Sequence, residues 1–299
     1  MNHQEMTTKI EQGDGFIAAL DQSGGSTPKA LQGYGYQGDE WSTDAEMFDL
    51  IHQMRSRIIT SPCFASGKVI GAILFERTMD GTVDGKPTPQ ALIDRGIVPF
   101  IKIDKGLEDE ENGVQMMKPM PDLSGLLQRA KQLGVFGTKE RSVINLANEA
   151  GIAVLIAQQF QVARQVLEHG LVPIIEPEVN IKSPERDECD RLLLAALLEE
   201  LDEIPDGQRV MLKLSIPAEP NLFAPLVSHP KVLRVVALSG GFSRGDACRE
   251  LAKNPGMIAS FSRALLSDLR AQQNDEEFDR TLGAAIDEIY EASTEKVPA

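Results

Sequence analysis

Residues 210–216 read VMLKLSI, an apolar run with Lys213 at its centre, entered from DGQR and left through a proline. The run is short, β-branched at both ends and bounded by turn residues, which is the pattern of a strand. It does not alternate polar with apolar, so it reads as buried on both faces, as strands of parallel sheets are. A lysine there is costly unless something pairs with it. Seven other segments share the form: FIAALD (16–21), VIGAILFE (69–76), VPFIKID (98–104), VFGTKE (135–140), LVPIIEPEV (171–179), LRVVALS (233–239) and MIASFS (257–262).

Between these runs the spacing turns helical, over residues 44–58, 122–133, 152–168, 186–203, 243–253 and 263–273, with Ser243 and Ser262 as candidate N-caps. Residues 275–292 read as one more helix. The connection 22–43 is long and glycine-rich, and 107–121 is polar and reads as a surface loop. Strand and helix alternate eight times with no break in composition. This predicts an α/β fold, a (β/α)8 TIM barrel in a single domain over 1–299, with the barrel at about 13–273 and extra terminal helices. Periodicity leaves a doubly wound sheet as the structural alternative.

The chain has 299 residues, 42% of them apolar and 25% charged, and a formal net charge of -15. So acidic a surface repels nucleic acid and anionic membrane, and neither is expected as a partner. Three cysteines, Cys63, Cys189 and Cys248, are far apart and suggest free thiols in a reducing compartment. Residues 1–15 contain no apolar signal region, and no apolar run reaches membrane-spanning length. The expectation is a soluble cytoplasmic protein.

The strand ends carry the functional signal. Asp21, Glu76, Lys102 with Asp104, Lys139, Glu176 with Glu178, and Lys213 all sit at or near the C-terminal ends, followed by Ser239 and Arg263 after the last two strands. In a barrel that face holds the chemistry. A lysine inside an apolar strand is expected to have a lowered pKa, further lowered by Lys102 and Lys139, so that its neutral amine can attack a ketone. Glu176, on the preceding strand, is a candidate proton shuttle, and Glu178 faces the same side; the residues alone do not separate them. A structural lysine paired with Glu176 or Asp21 is the competing reading.

LSGGFSR (238–244) runs from a strand through two glycines into a helix, a form suited to anions, and Arg263 opens the next helix. A second Ser-Gly-Gly-Ser, with Lys29, lies in DQSGGSTPKAL (21–31), which suggests a substrate with two phosphates. The histidines His3, His52, His169 and His229 are not at ligand spacing, so no metal is expected.

Nine ordered segments then resemble class I fructose-bisphosphate aldolase in its short bacterial form: IAALDQSGGS, MRSRIITSP, GAILFERTMDG, GIVPFIKIDKG, GTKERSVI, GLVPIIEPEV, VMLKLSIP, VVALSGGFSR and IASFSRAL, within about 13–273. The resemblance implies reversible, metal-free cleavage of fructose 1,6-bisphosphate in glycolysis or gluconeogenesis. It implies Lys213 as the imine-forming residue, Glu176 as the proton carrier, and Glu178 as the residue that tunes the lysine. It gives Asp21 a part in activating the hydroxyl at the bond to be broken, and Lys139 a part in balancing charge near the imine. It places Ser239, Gly240, Gly241 and Arg263 at the ketone-side phosphate, and Ser23, Ser26, Lys102 and Arg141, with Lys29, near the other phosphate or the hydroxyls. Related enzymes are often homo-oligomers.

The sequence departs from the animal-type pattern at Gln22, Ala30 and Glu140, where that pattern has glutamate, a basic residue and tryptophan. The segment before Arg263 is shorter, and the long C-terminal tail ending in tyrosine is absent. Other imine-forming lyases or transaldolases of sugar phosphates, and a non-catalytic barrel scaffold, are the functional alternatives.

Overall fold

The computed structural model describes residues 1–65 and 67–298. The strands β1 (Phe16–Leu20), β2 (Val69–Leu74), β3 (Val98–Lys102), β4 (Gly137–Ile144), β5 (Val172–Val179), β6 (Val210–Ser215), β7 (Val232–Leu238) and β8 (Ile258–Ala259) pair in chain order, every neighbour parallel. Between the first and last strands, the Ala19 N–H donates to the Phe261 carbonyl at 3.1 Å. The result is a nearly closed (β/α)8 barrel, and the doubly wound alternative falls away.

Side-chain alternation splits the apolar core in two. Ile17, Ala19, Val98, Phe100, Ile174, Met211 and Val236 point into the barrel and pack with Met6 and Ile10 of helix α1 (His3–Gln12). Phe16, Ala18, Leu20, Ile101, Ile175, Leu212 and Leu214 point outward, against the surrounding helices. With Phe136 at its edge, Phe100 is one of two phenylalanines of the interior. A Cβ on Gly71 of β2 would stand 3.2 Å from its ring, and one on Gly137 of β4 would stand 3.0 Å from it and 2.1 Å from the Val172 carbonyl. The two glycines make room for the ring, so large and small residues alternate across strands. Helix α1 lies across the N-terminal end and is started by a capping box between Asn2 and Glu5.

Helices α2 (Ser26–Tyr34), α3 (Asp44–Thr60), α4 (Glu76–Asp80), α5 (Thr88–Asp94), α6 (Leu123–Gln132), α7 (Glu149–Glu168), α8 (Arg186–Asp202), α9 (Ala224–Val227), α10 (Arg244–Ala252), α11 (Arg263–Leu266) and α12 (Asp275–Thr294) complete the fold. Three expectations need correction. The helix expected over 263–273 stops at Leu266, because the following backbone is committed elsewhere: the Ala271 N–H donates to the Tyr34 carbonyl at 2.7 Å, and Arg57 donates to the Gln273 carbonyl at 2.6 Å. Ser262 makes no cap hydrogen bond, whereas Ser243 accepts from the Asp246 N–H. The segment 107–121 is not simply a surface loop. Val114 and Gln115 pair antiparallel with the end of β4, which runs to Ile144 rather than Glu140, and Val114 and Met117 are buried.

Candidate functional site

Going up each strand by two residues from the apolar interior turns hydrocarbon into charge. Ala19 gives way to Asp21, Phe100 to Lys102, Gly137 to Lys139 and Arg141, Ile174 to Glu176 and Glu178, and Met211 to Lys213. All of these charged residues line one cavity of about 770 Å³, together with Ser23, Ser26, Lys29, Ser239, Gly240 and Arg263. Of the residues expected on this face, Gly241 and Glu76 are not on the wall: a Cβ on Gly241 would stand 3.8 Å from Arg263 Nη2, and Glu76 is paired instead with Lys105 at 2.8 Å and Arg129 at 2.5 Å.

The centre is a chain of buried ion pairs. Lys213 Nζ lies 3.0 Å from Glu176 Oε1, and Lys139 Nζ lies 2.9 Å from Glu176 Oε2 and 2.7 Å from Asp21 Oδ2. Glu176 thus bridges two lysines, and Lys139 bridges two carboxylates. Burial by itself would raise the pKa of Asp21 and Glu176, but the Lys139 and Lys213 charges outweigh it and hold both below the ordinary carboxylate value. Burial opposes the charged form of Lys139, yet Asp21, Glu176 and Asp104 raise it above the usual lysine range. An ammonium fixed in this way is a standing positive charge. Lys213 has one carboxylate partner, and that carboxylate is within reach to accept or return a proton.

Towards the rim the cations divide. Lys102 is bonded to the Asp104 carboxylate at 2.6 Å and to the Asp104 carbonyl at 2.9 Å. Arg141 is bonded to Glu178. So the structure brings Glu176 to Lys213 and Glu178 to Arg141. Lys29 and Arg263, among the described residues, have no carboxylate partner, and they reach the cavity from α2 and α11. The turn after β7 is suited to an anion. Gly240 and Gly241 have φ of 59° and 111°, and a Cβ on Gly240 would meet Ile181 Cγ2 at 2.7 Å. In the loop after β1, Ser26 Oγ accepts from the Ser23 N–H at 2.9 Å and donates to the Ser23 carbonyl at 2.7 Å.

Sequence reasoning missed Arg55. It is fully buried on α3, where its Nη2 donates to the Gln22 carbonyl at 2.5 Å and its Nη1 to Thr78 Oγ1 at 2.7 Å. Burial pulls its pKa down to about 10. The signal was present: Arg55 falls on the same helical face as Ile51, Met54 and Ile58, where a cation has no business unless it is bonded. Glu140 points to the outer side of β4. It is completely buried, and among the described residues neither carboxylate oxygen has a hydrogen-bond partner. Burial, then the Asp104 charge, pushes its pKa well above the usual carboxylate value, which favours the neutral acid. The histidines are engaged elsewhere. His3 packs on Phe136, His52 Nε2 lies 3.0 Å from the Thr82 carbonyl, His169 Nε2 3.0 Å from Ser124 Oγ, and His229 Nε2 3.5 Å from Asp202. No helix among the described residues is long and apolar enough to cross a membrane.

Eight parallel strands around an apolar interior, with lysines and carboxylates gathered at the C-terminal end, define a (β/α)8 barrel with an enzyme-type site. The particular lineage follows from the sequence: the glycolytic class-I fructose-bisphosphate aldolase family model matches residues 3–197, and the chain belongs to that family, whose members are lyases. Solved structures agree on the fold. A fructose-bisphosphate aldolase from Plasmodium falciparum, crystallised with TRAP and a small-molecule inhibitor, is similar with a TM-score of 0.78 at 20% identity, covering 99% of this chain and 96% of that one. Cgl0159 from Corynebacterium glutamicum gives a TM-score of 0.55 at 14% identity, covering 97% of this chain and 92% of its own. An archaeal fructose-1,6-bisphosphate aldolase, whose catalytic lysine is covalently bound to the carbinolamine intermediate, gives 0.52 at 12% identity, covering 97% and 100%.

Proposed function

We propose that this chain is a metal-independent aldolase that reversibly cleaves fructose 1,6-bisphosphate to dihydroxyacetone phosphate and glyceraldehyde 3-phosphate through an imine on Lys213. It works as a single domain, in the glycolytic or gluconeogenic direction, in the cytoplasm. The observation that supports the reading is the grouping within one cavity: a buried lysine–carboxylate couple, Lys213 with Glu176, shares its walls with Lys29 and Arg263, two cations that have no carboxylate partner among the described residues. A ketose with a phosphate at each end matches that arrangement.

The chemistry follows from the distances. Glu176, a carboxylate 3.0 Å away, takes a proton from the Lys213 ammonium; the freed amine attacks the C2 carbonyl, and the same carboxyl gives the proton back so that water leaves the carbinolamine. The iminium then accepts the electron pair of the C3–C4 bond. Asp21 takes the proton from the C4 hydroxyl, and the aldehyde departs. Its low pKa suits a group that begins as a carboxylate, and Lys139 at 2.7 Å steadies its charge. The enamine left on Lys213 takes up a proton from solvent to become the imine, Asp21 releases the one it took, and hydrolysis frees the ketone and restores the amine. Ser239, Gly240, Gly241 and Arg263 hold the ketone-side phosphate; Ser23, Ser26, Lys29, Lys102 and Arg141 serve the aldehyde half, with Glu178 orienting Arg141.

Borohydride reduction with dihydroxyacetone phosphate, followed by peptide mass mapping, tests this reading. A stable adduct on the Lys213 peptide is expected. An adduct on Lys139 or Lys102 would overturn the residue assignment. No adduct on folded protein would favour a binding barrel, and turnover of one-phosphate sugars alone would favour another imine-forming lyase or a transaldolase.

A further inference from the structure

The barrel is unevenly closed. Strands β4 and β5 are in register over eight residue pairs, from Gly137↔Val172 to Ile144↔Val179. Strand β8 has two residues, paired with Val236 and Ala237 of β7. No ladder joins it to β1 among the described residues; the backbone link there is the bond from the Ala19 N–H to the Phe261 carbonyl. A seam therefore runs between β1 and β8. It separates Ser23 and the start of α2, with Ser26 and Lys29, from the start of α11, with Arg263.

Side chains bridge this seam at the cavity end. Gln22 Nε2 donates to Ser262 Oγ at 2.6 Å and to the Ala19 carbonyl at 3.3 Å. Its amide oxygen accepts from Arg55 Nη2 at 3.3 Å, and its carbonyl accepts from the same nitrogen at 2.5 Å. Arg55 in turn donates to Thr78 of α4, which follows β2. Arg55 has no carboxylate in this network; its Nη1 and Nη2 groups bond Thr78 and Gln22, and its Nε–H meets no partner among the described residues. A fully buried guanidinium that binds main-chain and amide oxygens cannot let go without leaving a buried cation unpartnered. Gln22 is therefore fixed on one side, and it fixes Ser262 on the other.

We infer that Gln22, held by Arg55, is a positioning residue that latches the β1–β8 seam and sets the spacing between the two anion-binding loops. The inference rests on the two-phosphate reading of the cavity. A substrate with both phosphates must satisfy both loops at once, so its binding senses the spacing. A one-phosphate ketose engages one loop and does not. Gln22→Leu removes the amide bonds and keeps the bulk. Ser262→Ala, the gentler change, removes only the hydroxyl on the far side. Gln22→Glu keeps an acceptor for Arg55 and can accept from the Ser262 hydroxyl, so it keeps the latch.

The experiment pairs kinetics with hydrogen exchange on the full chain. The KM ratio of fructose 1,6-bisphosphate to fructose 1-phosphate should rise about tenfold in Gln22→Leu, rise by a smaller factor in Ser262→Ala, and stay near wild type in Gln22→Glu. Exchange at the Ala19 amide, followed without any sugar, should speed up in the same order. Unchanged Ala19 exchange in both Gln22→Leu and Ser262→Ala would overturn the latch. Faster exchange with an unmoved KM ratio would overturn its role in spacing. Wild-type protein inert on both sugars would instead defeat the functional reading, and the exchange data would still decide whether the latch exists.

Discussion

At the N-terminal end of the barrel, Val98, Phe100, Ile174 and Met211 point inward and are sealed by Met6 and Ile10. One step higher, the same strands present Lys102, Glu176 and Lys213 to a cavity. Backbone, twist and neighbours are common to both levels, so the difference lies in what each side chain must find. Below, the requirement is volume, met by placing Gly71 and Gly137 against Phe100. Above, it is charge, met by Asp21, Lys139, Glu176 and Lys213 pairing in series. The lower level makes the barrel stable, and the upper level spends part of that stability on chemistry.

Four changes probe the contrast, from the largest expected effect down. Lys213→Ala should lower turnover on the order of 10⁴-fold or more, because it removes the proposed nucleophile. The fold should survive, since Glu176 keeps Lys139 at 2.9 Å; circular dichroism and steady-state kinetics together check both halves. Phe100→Ala should do the reverse, costing about 3–5 kcal/mol in urea unfolding through the cavity it leaves, while borohydride still traps Lys213 in the folded fraction. Arg263→Ala should raise the KM about 10- to 100-fold by removing charge-assisted bonds to phosphate. An unmoved KM would shift the phosphate site elsewhere.

The smallest effect belongs to Glu140. Its pKa in the fold lies well above the value of 4.5 it would have in an unfolded chain. The stability it contributes is therefore fully present below that value and is lost as pH rises towards the folded one. Glu140→Gln keeps the shape of the neutral acid without the titration. Its advantage over wild type in urea unfolding should grow as the pH rises above the unfolded value, with a slope of at most ~1.4 kcal/mol per pH unit. Parallel pH curves for the two proteins would mean that Glu140 is ionised in the fold.

All eight strands were legible in the sequence, because buried parallel strands leave long apolar runs whatever their partners. The charged strand ends were legible for the same reason: Lys213 is conspicuous between Leu212 and Leu214. Helix α2 and the stop of α11 were not. Ser26–Tyr34 is hidden in a glycine-rich stretch, and Ala271 leaves helical geometry to bond Tyr34, a partner over two hundred positions away. The pairing pattern of the site was equally hidden. Glu176 and Glu178 share one face of β5; the register sets Arg141 opposite Glu176, yet its side chain reaches one step further to Glu178 and leaves Glu176 to Lys139 and Lys213, which no spacing in the sequence reveals.

Helix α1 has a consequence for traffic. With Met6 and Ile10 filling the floor, whatever enters the barrel interior from the cavity must leave by the same door. A reaction that makes two fragments from one molecule must then release them in single file. In the proposed reaction the fragment held on Lys213 leaves second, after the other has cleared the mouth.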